Sequence, residues 1–265
     1  MWDAAKIFCA HLCITAAGSG YGSDDASDCD GHSSSSSCSC KRGVCGGRLR
    51  GKRVLEIGAG VASLGLCAAA LGASEVLCTD YDEQVLQNLE FNLKHNTPTI
   101  YPLEESSSSS SPSSATASQY NTKLKWSKLD WRTLAADDVL AAEWTATGEE
   151  IMKERHQGSS DKNASDYDAD IVLGSALVYS AEGALYCADT VRHFLAENKC
   201  TEECWILQMP GRPGFDRFLL RLDYWGLCYE SFDISQDAFR IAVENMGKIN
   251  ADIDDFKLYV IKRQK

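Results

Sequence analysis

The residues best suited to chemistry lie in one short stretch, Glu56-Ile-Gly-Ala-Gly60, and at one acidic position, Asp80, twenty residues after it. The stretch ends an apolar run with β-branched residues, and the run after the loop is rich in alanine and leucine, a pattern typical of strand, loop and helix. A carboxylate at the position of Asp80 can accept hydrogen bonds from the two hydroxyl groups of a ribose. The spacing therefore predicts a site for a ribose-bearing cofactor.

Two details of the glycine loop distinguish between such cofactors. A dinucleotide site uses G-x-G-x-x-G, but Ser63 stands where the third glycine belongs and Gly65 comes two positions late. Glu56 is also a poor neighbour for a diphosphate, whereas it suits the cationic end of S-adenosyl-L-methionine, which carries an ammonium and a sulfonium but no phosphate. We therefore predict S-adenosyl-L-methionine rather than a dinucleotide. A glycine turn without any ligand is the lesser alternative.

Alternating strands and helices must position these residues. The patterns predict seven strands, of which 53–57 and 75–79 flank the glycine loop and its helix 62–72. The other predicted strands are 124–131, 170–174, 205–209, 227–233 and 256–262, and the other predicted helices are 2–16, 83–96 (before Pro98), 133–144, 182–197 and 214–225. This order predicts an α/β fold, a Rossmann-like, mainly parallel sheet with helices on both faces and ligands at the carboxyl ends of the strands.

Three low-complexity stretches interrupt this pattern, at 18–48, 102–119 and 145–166. Runs of serine and of charge favour disordered insertions within one domain that spans 1–265. The first stretch contains several thiols and one imidazole without the paired C-x-x-C spacing of a zinc site, so we predict no metal there. These residues are Cys29, His32, Cys38, Cys40 and Cys45.

Bulk properties limit the partners and the compartment. The formal net charge of −12 disfavours nucleic acid, because an acidic surface gains nothing from counterion release. The sequence has no apolar run approaching the ~18 residues of a membrane span. Cysteines such as Cys67, Cys78, Cys187 and Cys228 lie within apolar patterns and suggest no disulfide framework. We therefore expect an intracellular protein, in the cytoplasm or also in the nucleus.

Five motifs together resemble one known family. They are Trp2-Asp-Ala-Ala5, Gly51-Lys-Arg-Val-Leu-Glu-Ile-Gly-Ala-Gly60, Thr79-Asp-Tyr-Asp82, Leu129-Asp-Trp131 and Asp170-Ile-Val-Leu-Gly-Ser-Ala-Leu-Val-Tyr179. In this combination the chain resembles the seven-strand methyltransferases of the non-histone protein lysine type, methyltransferase family 16. The resemblance implies a class I methyltransferase fold, S-adenosyl-L-methionine as the cofactor and a lysine side chain of a protein as the acceptor.

The resemblance also implies roles for individual residues. Trp2 and Trp131 would flank the cofactor, Asp80 would bind its ribose, and Ser175 would lie near the transferred methyl. Tyr179 would line the channel for the lysine and is the predicted catalytic residue. The complete set of predicted cofactor-binding residues is Trp2, Glu56, Gly58, Ala59, Gly60, Asp80, Tyr81, Trp131 and Ser175.

The chain departs from the family pattern in three places. Ala176 replaces the aspartate of the Asp-x-x-Tyr motif that ends at Tyr179, and Val61-Ala-Ser-Leu-Gly65 replaces T-G-x-x-G. The family also usually has a strand or hairpin before the first helix, which leaves open an incomplete N-terminus. The loss of the carboxylate leaves three interpretations: a lysine methyltransferase that uses another acidic residue, a cofactor-binding protein with impaired activity, or a methyltransferase for another side chain or a small molecule.

Overall fold

The computed structural model describes residues 3–18, 46–100, 122–136, 167–198 and 200–264, with the backbone alone at 18 and 97–100. Trp2, the cysteine and histidine cluster at 29–45, and most of the three predicted insertions lie outside these ranges. Among the helices that it describes, none is both long enough and apolar enough to cross a membrane.

Seven strands form one sheet, as predicted. They are β1 (Arg53–Ile57), β2 (Glu75–Asp80), β3 (Lys123–Lys128), β4 (Ile171–Ser175), β5 (Glu203–Gln208), β6 (Leu227–Asp233) and β7 (Lys257–Arg263). Their order is β3-β2-β1-β4-β5-β7-β6, and β7 is antiparallel to both of its neighbours while the other pairs are parallel. The strand order reverses between β1 and β4, because the chain runs outward from β1 to β3 and then returns to place β4 on the other side of β1. In this class of fold, ligands bind in the crevice at such a point.

Helices cover both faces of the sheet. They are α1 (Asp3–Gly18), α2 (Ser63–Ala70), α3 (Glu83–Ile100), α4 (Ala181–Arg192), α5 (Phe215–Tyr224) and α6 (Gln236–Met246). Because alternate strand residues point to opposite faces, Val54 packs with α1, α2, α3 and α6, whereas Leu55 and Ile57 pack with α4 and α5. This confirms the predicted layers.

Several segments differ from the predictions. Residues 131–134 form a short 3₁₀ helix, so the predicted helix 133–144 does not begin at 133. Helix α3 continues past Pro98 to Ile100, and Gly46–Leu49, assigned to an insertion, forms a 3₁₀ turn with Leu49 buried. Helix α6 was not predicted, although Ser235 caps it and its buried alanines, Ala238 and Ala242, lie four residues apart at helical spacing.

Candidate functional site

A cavity of about 710 Å³ opens where β1, β2 and β4 end. Its size falls within the range of small-molecule sites. The loops that follow these three strands, the segment after β3 and the first turns of α4 form its walls. Eight of the predicted site residues line it: Gly58, Ala59, Gly60, Asp80, Tyr81, Trp131, Ser175 and Tyr179.

The glycine loop presents its backbone to the cavity. Gly58 and Gly60 have φ values of 60° and 56°, which side chains rarely tolerate. A Cβ atom on Gly58 would lie 2.9 Å from Leu177 Cδ2 and 3.3 Å from the Trp131 ring, so this position has no room for a side chain. The two glycines thus form a cradle that a ligand can approach closely.

Asp80 is held in place by backbone amides. Its Oδ2 accepts a hydrogen bond from the Gly60 N–H at 3.0 Å, and its Oδ1 accepts from Tyr81 at 2.8 Å and from Asp82 at 3.3 Å. An ionised carboxylate has about four acceptor positions, so Asp80 can accept further bonds from a ligand. The carboxylate therefore joins the glycine loop of β1 to the end of β2.

A short 3₁₀ turn carries Trp131 into the cavity. Asp130 caps this turn by accepting from the Arg132 N–H at 3.0 Å, and it pairs with the Arg132 guanidinium at 2.6 Å. Burial alone would raise the pKa of Asp130, but the hydrogen bonds from Arg132 outweigh burial and lower that pKa. The negative charge of Asp130 is consequently balanced by Arg132, which also lines the cavity.

The segment after β4 forms the opposite wall. The Ala176 N–H donates to the Leu207 carbonyl at 2.9 Å, and Gln208 exchanges two hydrogen bonds with the backbone of Val178. These bonds fix the segment that carries Tyr179, whose side chain is 42% exposed at the mouth. Burial raises the pKa of Tyr179, partly offset by the Arg212 guanidinium over its ring.

A family model described as lysine methyltransferase matches residues 1–145, which is more than half of the chain. The chain belongs to this family. The protein is therefore a methyltransferase that uses S-adenosyl-L-methionine, and the matched residues include the glycine loop, Asp80 and Trp131, which line the cavity. The residues present fit that cofactor. A ligand can lie close to the backbone of the glycine loop, and the cavity is lined by three carboxylates and one guanidinium, so its lining is negative and suits a cationic ligand.

Comparison with curated proteins returned no match. Among solved structures, the chain is similar to a TehB-like SAM-dependent methyltransferase from Corynebacterium glutamicum, with 17% identity, 82% of this chain and 86% of that chain covered, and a TM-score of 0.44. It is also similar to a magnesium protoporphyrin IX methyltransferase from Synechocystis with bound SAH, with 12% identity, 82% and 76% covered, and a TM-score of 0.44. These likenesses are distant, and the assignment rests on the family match.

The position of Glu56 contradicts one prediction about this methyltransferase. Its carboxylate does not line the cavity; it is buried beneath the loop and accepts from the N–H groups of Leu64 at 3.3 Å and Gly65 at 2.8 Å. The predicted direct contact between Glu56 and the cofactor is therefore wrong. Gly65 allows this arrangement, because a Cβ there would overlap the Cys78 sulfur and lie 2.9 Å from Glu56 Oε2.

Two of the three departures from the family pattern coincide with unusual backbone. Ala62 and Ala176 have φ values of 64° and 50°, and they are the non-glycine residues with positive φ in the described parts of the chain. Ala62 stands where the family pattern has glycine, which adopts this conformation without strain. Aspartate also tolerates it better than most residues, so the backbone at 176 remains suited to the family residue.

Other cavity-lining residues were not predicted. They are Arg132, on the turn after β3, and Glu182 and Tyr186, on α4; no local motif marks them, because their orientation depends on how these two elements pack. Trp2, predicted to flank the cofactor, lies outside the described residues. Ala5, on the first described turn of α1, does line the cavity.

Stability is expected to fall with rising pH because of Glu56. Burial raises its pKa from 4.5 to about 7, although the Gly65 and Leu64 amides oppose that shift. Between these values the folded protein holds a proton that the unfolded chain has released, so stability declines as pH rises through this window. The shift corresponds to roughly 3 kcal/mol. Urea unfolding at pH 5.5 and pH 8 gives the free energy of unfolding of wild type and of Glu56→Gln. Between these two pH values, the wild type should lose more of this free energy than the variant, by much of the ~3 kcal/mol. Equal changes in the two proteins would contradict the prediction.

Proposed function

We propose that this protein transfers a methyl group from S-adenosyl-L-methionine to the amine of a lysine side chain in a protein. The observation that carries the proposal is the family match, described as lysine methyltransferase, over the part of the chain that builds the cofactor wall of the cavity. The acceptor wall, after β4, lies beyond residue 145.

On the cofactor side, the chain's residues bind and orient. Asp80 accepts hydrogen bonds from the ribose hydroxyls while it holds Gly60 in place. The backbone of the glycine loop, together with the Trp131 and Tyr81 side chains, encloses the cofactor, and Ser175 contacts it near the methyl group. When bound, S-adenosyl-L-methionine supplies the methyl group on a sulfonium that leaves readily.

On the acceptor side, the cavity must take a cation and then favour its neutral form. Lysine has a solution pKa of about 10.4; burial lowers the pKa of an amine, whereas the face of an aromatic ring attracts its charged form. Tyr179 at the mouth and Tyr186 on α4 supply such rings. The net charge of −12 suits a basic target segment rather than nucleic acid, and we infer that the acceptor is a protein.

The test is transfer of label from S-adenosyl-L-methionine with a radioactive methyl group to proteins of a cell lysate. We expect label in protein, recovered as methyllysine after acid hydrolysis. Label in the small-molecule fraction or in another amino acid would identify a different acceptor. Wild-type protein that binds the cofactor by calorimetry but transfers nothing to any fraction would contradict methyl transfer.

Ala176 gives a second candidate function, a cofactor-binding protein with impaired catalysis. It predicts a silent wild type that Ala176→Asp activates. Ala176→Asn is the matched control, because asparagine tolerates the same left-handed backbone but carries no charge. We expect the wild type to be active; activation from background by aspartate alone would favour the second candidate.

A further inference from the structure

We propose that Glu182 supplies the carboxylate that positions the acceptor amine, in place of the one that Ala176 lacks. This inference rests on the proposed function. It concerns the same cavity, but it names a residue that no motif of the sequence marks. The evidence is the state of the three carboxylates that line the cavity, Asp80, Asp130 and Glu182.

Two of these carboxylates are already engaged. Asp80 accepts from three backbone amides, and Asp130 is paired with Arg132 and caps the turn that carries Trp131. Within the described ranges, Glu182 forms neither a hydrogen bond nor an ion pair, and it is exposed to solvent. Its charge is therefore available to a cation that enters the mouth.

The local structure places Glu182 beside the predicted acceptor path. Ser180 caps α4 by accepting from the Gly183 N–H at 3.0 Å, so Glu182 lies in the first turn, three residues after Tyr179. Residues three and four apart share one face of a helix, and Glu182, Gly183 and Tyr186 all line the cavity. Glu182 thus lies on the same wall of the cavity as Tyr186 and close in sequence to Tyr179.

The chemistry needs a carboxylate there. An arriving ammonium is attracted and oriented by a negative charge, and alignment of the reacting atoms supplies much of the rate in a displacement of this kind. The amine loses one proton to solvent at the open mouth. Its lone pair then forms the N–C bond as the C–S bond breaks, and the cofactor departs as a neutral thioether. Glu182 is unchanged at the end.

A purely structural role for Glu182 has to be separated from this one. An acidic residue in the first turn also stabilises a helix through the helix dipole. Asp216 occupies the same second position of α5, after Gly214, and does not line the cavity. Asp216→Asn is therefore the matched control for Glu182→Gln.

The experiment measures initial rates of label transfer to a fixed amount of cell lysate, with cofactor Kd by calorimetry and Tm for each variant. We expect Glu182→Gln to lower the rate at least tenfold with the Kd within about twofold, Glu182→Asp to lose less, and Asp216→Asn to match wild type. Adding Ala176→Asp to Glu182→Gln should restore much of the rate, whereas adding Ala176→Asn should not.

A Glu182→Gln protein that keeps more than half of the wild-type rate would overturn the inference and leave the proposed function intact. So would equal rescue by aspartate and asparagine at 176. A wild type that binds cofactor and labels no lysine would overturn the proposed function, and the inference with it.

Discussion

Replacing Asp80 with alanine is expected to weaken binding of S-adenosyl-L-methionine about a hundredfold. A hydrogen bond to a charged group contributes about 1.5–3 kcal/mol, and the proposed ribose contacts provide two. Loss of both at the lower end, about 3 kcal/mol, corresponds to this factor. The substitution also removes the 3.0 Å bond that holds the Gly60 amide, so the loop itself is less well placed.

Calorimetry with purified protein measures this effect directly. Asp82→Asn is the control, because Asp82 caps α3 through the amides of Gln84 and Val85 and does not line the cavity. Its Kd should stay within about twofold of wild type. Asp80→Asn keeps one acceptor oxygen for Gly60 and should fall between the two. An Asp80→Ala protein with wild-type affinity would show that Asp80 does not contribute to cofactor binding.

Replacing Asp189 with alanine is expected to destabilise the fold by about 3–5 kcal/mol, the cost of breaking a buried ion pair from one side. Asp189 is fully buried in α4 and binds the Arg221 guanidinium at 2.8 Å and the Trp225 indole N–H at 2.6 Å. It also accepts from the Ala136 N–H at 2.8 Å, at the end of the segment that follows Trp131. Its removal takes the carboxylate away from the buried Arg221 guanidinium.

The Asp189→Ala substitution is expected to affect cofactor binding as well as stability. The bond to Ala136 ties the Trp131 turn to α4, so the variant should also bind cofactor more weakly under conditions where it is still folded. Urea unfolding gives the free energy of unfolding, and calorimetry at low temperature gives the Kd. Glu244→Ala, which removes an exposed partner of Arg240, is the control and should leave the unfolding midpoint nearly unchanged. Equal stability of Asp189→Ala and wild type would contradict the argument.

Strands with strong local patterns were predicted closely. The predicted strand 53–57 matches β1, and 227–233 matches β6, because continuous or alternating apolar residues leave few alternatives for a short segment. The end of α3 and the start of the segment after β3 were wrong. Pro98 was given too much weight as a stop signal, and the 3₁₀ turn at 131–134 depends on the Asp130 cap and on tertiary contacts.

The case of Glu56 shows the limit of a motif. Its spacing from the glycines correctly favoured S-adenosyl-L-methionine over a dinucleotide, but the reason given was wrong. Glu56 shares a strand face with Val54, on the side covered by α2, so its carboxylate meets the amides at the start of that helix instead of the ligand. The alternation of side chains in β1 assigns Glu56 to the same face as Val54. Only the tertiary structure shows that α2 covers this face.

The sequence by itself determined the fold class, the glycine loop and the ribose-spaced Asp80, because each depends on residue types at short, fixed separations. It also showed that Ala176 departs from the family pattern. Only the tertiary structure decided that Glu56 supports the loop from below, that Asp130 is neutralised by Arg132 and that Glu182 lines the cavity. These outcomes depend on which elements pack against one another, since a carboxylate has its role set by the partners that surround it.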